Sequence, residues 1–143
     1  MAKYFTLNEL TRSDTANRLG IKNNPDLYTV ERLNYLMQIL DQIRKEWGSA
    51  IRVTSGYRCK ALNKAVGGVT NSNHIYGTAA DLQPVNGKLK DFFPFVKKCC
   101  EDMGLEWDEI LYEKSGKSEW LHFAFMRGTN GQRRKKYIQM TVK

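Results

Sequence analysis

The strongest constraint on the fold is one long amphipathic segment near the start of the chain, residues 27–47. Asn24, Pro25 and Asp26 provide a helix cap, a first-turn proline and an acidic first turn. Apolar residues then recur every three or four positions until Gly48. The pattern predicts a single long helix with one apolar face.

Shorter patterns fill the rest of the chain. Capping and spacing signals predict short helices over residues 7–19 and 59–66 and a longer one over residues 88–103. Strands are predicted for the β-branched and aromatic segments 51–54, 78–83, 107–112, 120–126 and 137–142. Turn residues separate the last three segments, which predicts an antiparallel meander. Helices first and strands mostly later predict a single α+β domain, residues 1–143, with N-terminal helices packed on a small antiparallel sheet.

Composition narrows the classes of partner. A chain with 41% hydrophobic and 27% charged residues is neither disordered nor fibrous. The net charge of +8 favours acidic partners: nucleic acid, anionic wall polymers or an anionic membrane surface. No apolar run approaches the ~18 residues of a membrane span or forms a signal core, so we expect cytoplasmic synthesis and no membrane insertion. Three cysteines, two of them adjacent, are expected to be reduced thiols.

The two histidines of the chain each lie close to a carboxylate in sequence. Six residues separate His74 from Asp81, and several are small, so a loop can pass into a strand without obstructing an ion. Glu119 precedes His122 by three positions. On a strand His122 shares a face with Trp120, whereas Glu119 reaches the same site only if the chain bends where the strand begins.

These residue types match a catalytic zinc site. Zinc in such sites commonly takes three histidine and carboxylate ligands and leaves a fourth position to water. With His74, Asp81 and His122 as ligands, Glu119 is free to accept a proton from that water and pass it to a leaving amine. Each residue taken alone also has an ordinary interpretation, as a hydrogen-bonded histidine, a strand-end carboxylate or a solvated turn residue.

Three further residues are candidates for substrate binding. Arg58 follows a Ser-Gly-Tyr turn that can hold its guanidinium near the site, where it suits a substrate carboxylate or a developing oxyanion. Its alternative is a surface ion pair. Ser72 and Tyr57 have hydroxyl groups for the substrate, and their alternative is local turn chemistry.

Two segments resemble the zinc D-alanyl-D-alanine carboxypeptidase family, which also includes phage endolysin peptidases. They are SGYRCKALNKAVGGVTNSNHIYGTAADL, residues 55–82, and EWLHFAF, residues 119–125. The shared pattern is Ser-Gly-Tyr-Arg, an Asn and Gly-Gly, Ser-x-His followed after six residues by Asp, and a carboxylate shortly before a Trp/Leu-rich His. The resemblance extends upstream through residues 5–21 and the long helix.

The resemblance implies one Zn²⁺ ion held by His74, Asp81 and His122 in a groove across the sheet. It also implies that Glu119 is the catalytic base and acid and that Arg58 binds or polarises substrate. The expected activity is hydrolysis of amide bonds in peptidoglycan stem peptides, by a carboxypeptidase or an endopeptidase. We expect a monomer, and a phage lysis or virion-associated enzyme would combine cytoplasmic synthesis with action on the wall.

Two other classes of function stay open. A non-catalytic wall-binding or structural module would keep the zinc fold and bind metal without cleaving a bond, although Glu119 argues against it. A nucleic-acid patch at residues 133–136 would bind DNA or RNA in a salt-dependent manner. No stacking platform or groove helix accompanies this basic segment, so we favour a solvated basic turn and expect no nucleic-acid partner.

Overall fold

The fold is α+β, as the sequence predicts. The computed structural model describes residues 2–142. Within that range the α-helices are α1 (Leu7–Thr11), α2 (Asp14–Leu19), α3 (Leu27–Trp47), α4 (Lys60–Ala65) and α5 (Leu89–Asp102), and a 3-10 helix spans Asn73–Tyr76. The strands are β1 (Ile51–Ser55), β2 (Ala79–Pro84), β3 (Glu109–Ser115), β4 (Ser118–Ala124) and β5 (Lys136–Thr141).

Local signals explain where the long helix begins and ends. The prediction that Asn24 caps α3 is wrong: the N-cap is Asp26, whose side chain accepts a hydrogen bond of 2.8 Å from the Thr29 backbone N–H. Gly48 follows the last turn in the left-handed conformation, with φ of 77°. The segment predicted over residues 7–19 forms two short helices, because Ser13 caps a new helix after α1 has ended.

The five strands have the order β1-β2-β4-β3-β5. Neighbours are antiparallel except for β5, which runs parallel to β3. The prediction that β5 continues an antiparallel meander is therefore wrong. Since β4 already pairs with β2 and β3, the free edges left to the next strand are those of β1 and β3, and β5 pairs with β3. The chain leaves β4 beside the start of β3, so β5 starts there and runs in the same direction.

Alternation along the strands gives the sheet two different faces. The helix face packs against α3 and α5 in the main core and carries Leu82, Ile110, Tyr112, Leu121 and Phe123. The opposite face, here called the open face, carries Asp81, Leu111, Glu113, Trp120 and His122. The sheet thus buries an apolar layer on one side and presents ionisable groups on the other.

The cysteines and the helices give two further results. All three cysteines are free, and burial is the main reason why the pKa rises to about 11 for Cys99 and about 12 for Cys100.

Within residues 2–142, none of the helices combines the length and the apolar character needed to cross a lipid bilayer.

Candidate metal centre

A groove of about 920 Å³ lies over the open face of the sheet. The open face forms its floor, residues 66–74 after α4 form one wall, and Arg127, Arg134, Met140 and Val142 line the other side. All three predicted metal ligands, together with Arg58 and Ser72, line this groove. The site predicted from sequence is therefore largely assembled in one place.

His74, Asp81 and His122 form a compact cluster at the groove floor. Asp81 and His122 are direct partners across β2 and β4, and His74 lies in the 3-10 helix before β2. Asp81 Oδ1 is 3.2 Å from His74 Nε2 and 3.0 Å from His122 Nδ1. One ligand atom from each residue lies within 4.8 Å of the others. A single cation can therefore contact all three side chains.

Each histidine ring also makes a hydrogen bond through the nitrogen that faces away from Asp81. His74 Nδ1 lies 2.7 Å from the Gly56 carbonyl oxygen, and His122 Nε2 lies 2.9 Å from Glu109 Oε1. Because both partners are acceptors, each ring donates there, so that its inner nitrogen would be the one to bind a metal once that nitrogen carries no proton. Two imidazoles with fixed orientations, neutral once a metal replaces the proton on His122, and one carboxylate are the donor set that catalytic zinc takes, so these residues fit that ion.

A close backbone approach places the Gly56 carbonyl for this task. The Tyr57 backbone N–H donates to the Leu10 carbonyl over 2.6 Å. A Cβ on Gly56 would lie 2.2 Å from the same Leu10 oxygen, so only glycine fits there. Asn23 fixes the loop further by donating to the Tyr57 carbonyl over 2.9 Å.

The cluster is also arranged electrostatically for a cation. Burial lowers the pKa of His74. For His122, burial opposes the charged form, but hydrogen bonds to Asp81 and Glu109 outweigh it and raise the pKa to about 10. For Asp81, burial is likewise outweighed, here by the two histidines, which hold its pKa well below the usual range. Without a metal, a proton on His122 thus provides the positive charge.

The candidate substrate residues occupy different places. The Arg58 guanidinium lies in the groove, with Nη2 donating to Ser72 Oγ over 3.4 Å. Ser72 is also the N-cap of the 3-10 helix, because its Oγ accepts from the His74 backbone N–H over 3.2 Å. Tyr57 is only 9% exposed, packs in the core and borders a separate depression of about 360 Å³. The structure therefore brings Arg58 and Ser72, but not Tyr57, to the groove.

Glu119 lies on the helix face, away from the groove. The bend that Glu119 requires to reach the site does not form: β4 begins at Ser118, and Glu119 pairs regularly with Lys114. Its odd offset from His122 therefore directs its side chain to the opposite side of the sheet. There Glu119 Oε2 accepts a hydrogen bond of 2.7 Å from the Tyr112 hydroxyl.

Glu113 is the carboxylate that lies on the open face instead. It pairs across the strands with Trp120, and its Oε1 accepts from Trp120 Nε1 over 2.9 Å. Burial raises the pKa of Glu113; His122 lowers it, and the negative charge of Asp81 acts in the same direction as burial. Glu113 therefore lies in the groove, in an environment that favours its protonated form.

A signal for Glu113 was present in the sequence. The hairpin pairs Ser115 with Ser118 around a two-residue turn that begins with Gly116, whose φ is 59°. That register places Glu113 opposite Trp120, which alternation had already assigned to the face of His122. The predicted strand ended at residue 112, one position too early to include it.

Arg134 departs from the predicted solvated basic turn. Its guanidinium contacts the carboxylate of Asp108 at two points, over 2.8 and 2.7 Å, and Asp108 is fully buried. A buried carboxylate requires a nearby cation, and Arg134 supplies it. The prediction of a solvated turn is therefore wrong for this residue.

Comparison with known proteins gives one family. Residues 3–109 match the family model described as Peptidase M15. The matched region contains His74 and Asp81 and ends before Glu113 and His122. No curated protein matches the chain.

Proposed function

This chain belongs to the peptidase M15 family, and from that premise we propose that it hydrolyses amide bonds in peptidoglycan stem peptides. M15 peptidases are zinc-dependent hydrolases that act on peptide substrates, and the chain has a histidine–aspartate–histidine cluster. The observation that carries the proposal is this buried cluster, in which both histidines are oriented from behind. The open groove above it gives a peptide access to the ligands.

One zinc ion is proposed to bind His74 Nε2, Asp81 Oδ1 and His122 Nδ1. When bound, zinc brings the pKa of a coordinated water close to ~7 and polarises a carbonyl group as a Lewis acid. Three protein ligands leave room for both the water and the substrate. The hydrogen bonds to Gly56 and Glu109 keep the two rings aimed at the ion.

Glu113 is proposed as the general base and acid in place of Glu119. It lies on the same face as His122, two cross-strand pairs further along the hairpin. From there its carboxylate accepts a proton from the attacking water and delivers it to the leaving amine. The raised pKa of Glu113 suits this role, because it makes the carboxylate a better proton acceptor than an ordinary glutamate.

Arg58 is proposed to bind the substrate in the groove. It presents a planar guanidinium to a carboxylate or to the developing oxyanion of the scissile bond. Ser72 limits its orientation through the contact with Nη2. The net charge of +8 supports retention of the enzyme on an anionic wall.

The decisive experiment measures new amino groups released from purified peptidoglycan and from a pentapeptide ending in D-Ala-D-Ala. Zinc-loaded protein should cleave at least one substrate, and a chelator should abolish the cleavage. The substrate that is cut distinguishes endopeptidase from carboxypeptidase. Stoichiometric zinc binding with neither substrate cleaved would favour the binding-module alternative.

A matched pair of variants tests the proposed base. Glu113→Gln should lower kcat by about 10²–10⁴-fold, the usual contribution of general acid–base catalysis, without loss of zinc. Glu119→Gln changes the same residue type on the paired strand and should retain near wild-type kcat. An equal loss in both variants would contradict the assignment to Glu113.

A further inference from the structure

Four polar side chains form a continuous network behind His122. We call Asn73, Asp108, Glu109 and Arg134 the backing network. Arg134 binds Asp108 at two points, and its Nη2 lies 3.5 Å from Glu109 Oε2. The other oxygen of that carboxylate, Glu109 Oε1, accepts from His122 Nε2 over 2.9 Å. A chain of polar contacts therefore runs from Arg134 to one of the proposed metal ligands.

Asn73 connects the same network to the second histidine. Its Nδ2 lies 2.8 Å from Glu109 Oε1 and 3.0 Å from Asp108 Oδ2, and its Oδ1 accepts from the Gly128 backbone N–H over 2.8 Å. Asn73 directly precedes His74 in the 3-10 helix. The network therefore contacts His122 directly and the segment that carries His74.

The charges of the network explain why Arg134 matters for its geometry. Asp108 and Glu109 are adjacent carboxylates, and Asp108 is completely buried. Within residues 2–142, Arg134 is the only arginine or lysine that forms an ion pair with either of them. Without that cation the two carboxylates would repel each other, and Glu109 would lose the contact that holds its outer oxygen.

We propose that Arg134 is a positioning residue for the metal centre. By fixing Glu109, it holds the His122 ring in the orientation that directs Nδ1 to the metal. The inference rests on the proposed function, because it requires zinc at the cluster. A purely structural role is the competing explanation, since Arg134 also tethers the segment between β4 and β5 through its backbone N–H, 3.1 Å from Asp108 Oδ1.

The test compares Arg134→Ala with Arg133→Ala. The control removes the same charge from the adjacent residue, which forms no ion pair within residues 2–142. Zinc affinity is measured by competition with a chelator, and the visible absorption of cobalt substituted for zinc reports the ligand geometry. Arg134→Ala should weaken zinc binding by about 10–100-fold, as for other partners of metal ligands, and should alter the cobalt spectrum. Arg133→Ala should change neither.

Two further variants separate positioning from folding. Arg134→Lys keeps the charge but loses the two-point contact, so it should recover part of the lost affinity. Glu109→Gln disrupts the contact through which Arg134 acts on His122. Arg134→Ala should therefore lower zinc affinity less in the Glu109→Gln background than in the wild-type background. Thermal unfolding of the metal-free proteins shows which variants fold. If Arg134→Ala does not fold, Arg134→Lys and Glu109→Gln still decide the question.

The outcomes distinguish this inference from the proposed function. Wild-type protein that binds no zinc would overturn both. Wild-type zinc affinity and an unchanged cobalt spectrum in folded Arg134 variants would overturn the positioning role alone. Full additivity of the Arg134 and Glu109 changes would also contradict it.

Discussion

His122 and Phe123 are adjacent residues of β4, and their side chains lie on opposite faces of the sheet. His122 is 8% exposed on the open face, whereas Phe123 is 0% exposed on the helix face. Both are buried, but one is surrounded by carboxylates and the other by apolar side chains of the core. The difference shows that the face to which a residue belongs, more than its degree of burial, determines its contribution. We expect the helix face to determine stability and the open face to determine metal binding.

The largest expected effect comes from the open face. His122→Ala removes one of three proposed ligands. Changing a residue that only hydrogen-bonds to a ligand lowers metal affinity by up to about 100-fold, and the loss for His122→Ala should be larger. Equilibrium dialysis against a zinc buffer measures it, and circular dichroism verifies the fold. A variant that keeps wild-type affinity would show that the cluster is not the zinc site.

A change at the neighbouring position, on the helix face, should lower stability and leave zinc affinity unchanged. Phe123→Ala removes a fully buried ring from the core, which should lower the free energy of unfolding by about 3–5 kcal/mol. Denaturant titration of the metal-free protein measures this loss. The folded fraction should bind zinc with wild-type affinity, and a large loss of affinity would contradict the division between the faces.

The smallest effect concerns Tyr112 and Glu119, at the edge of the helix face. The hydrogen bond to Glu119 is the main reason why the pKa of Tyr112 rises to about 12. The folded protein therefore holds this proton more tightly than the unfolded chain, in which tyrosine titrates near about 10. The stability from this pair is present below about pH 10 and is lost as the pH rises towards about 12.

Glu119→Gln should make the free energy of unfolding less sensitive to pH in that alkaline range. Urea titrations at pH 8 and at pH 11 measure the difference, with Glu113→Gln as the control from the open face. Equal changes in the pH dependence of both variants would contradict the contrast between the two glutamates.

Features that depend on local patterns were predictable from the sequence. Helical spacing predicted α3 and its end at Gly48, although the cap was placed two residues too early, and alternation correctly assigned Leu121 and Phe123 to the core. The same alternation predicted that His122 and Trp120 share a face, which the structure confirms. These predictions succeed because period and capping are properties of neighbouring residues.

Features that depend on distant segments were not predictable in this way. The parallel direction of β5 reflects its pairing with the edge of β3, beginning beside the end of β4, and no local pattern records that. The contact of Arg134 with Asp108 joins residues 26 positions apart, and a basic cluster alone does not indicate a buried partner. Glu113 lies between these cases, because a strand prediction one residue longer would have included it.

The position of β4 and β5 after the segment that carries His74 and Asp81 has a consequence for biosynthesis. A nascent chain that has reached residue 109 already contains His74 and Asp81, but His122 follows Asp81 by 41 positions. Arg134 emerges later still, after the strand that carries His122. The complete ligand set and its support therefore exist only once the chain has been synthesised past residue 134. Truncated products that lack β4 and β5 are expected to have no hydrolytic activity, so the chain becomes active only after these strands have folded.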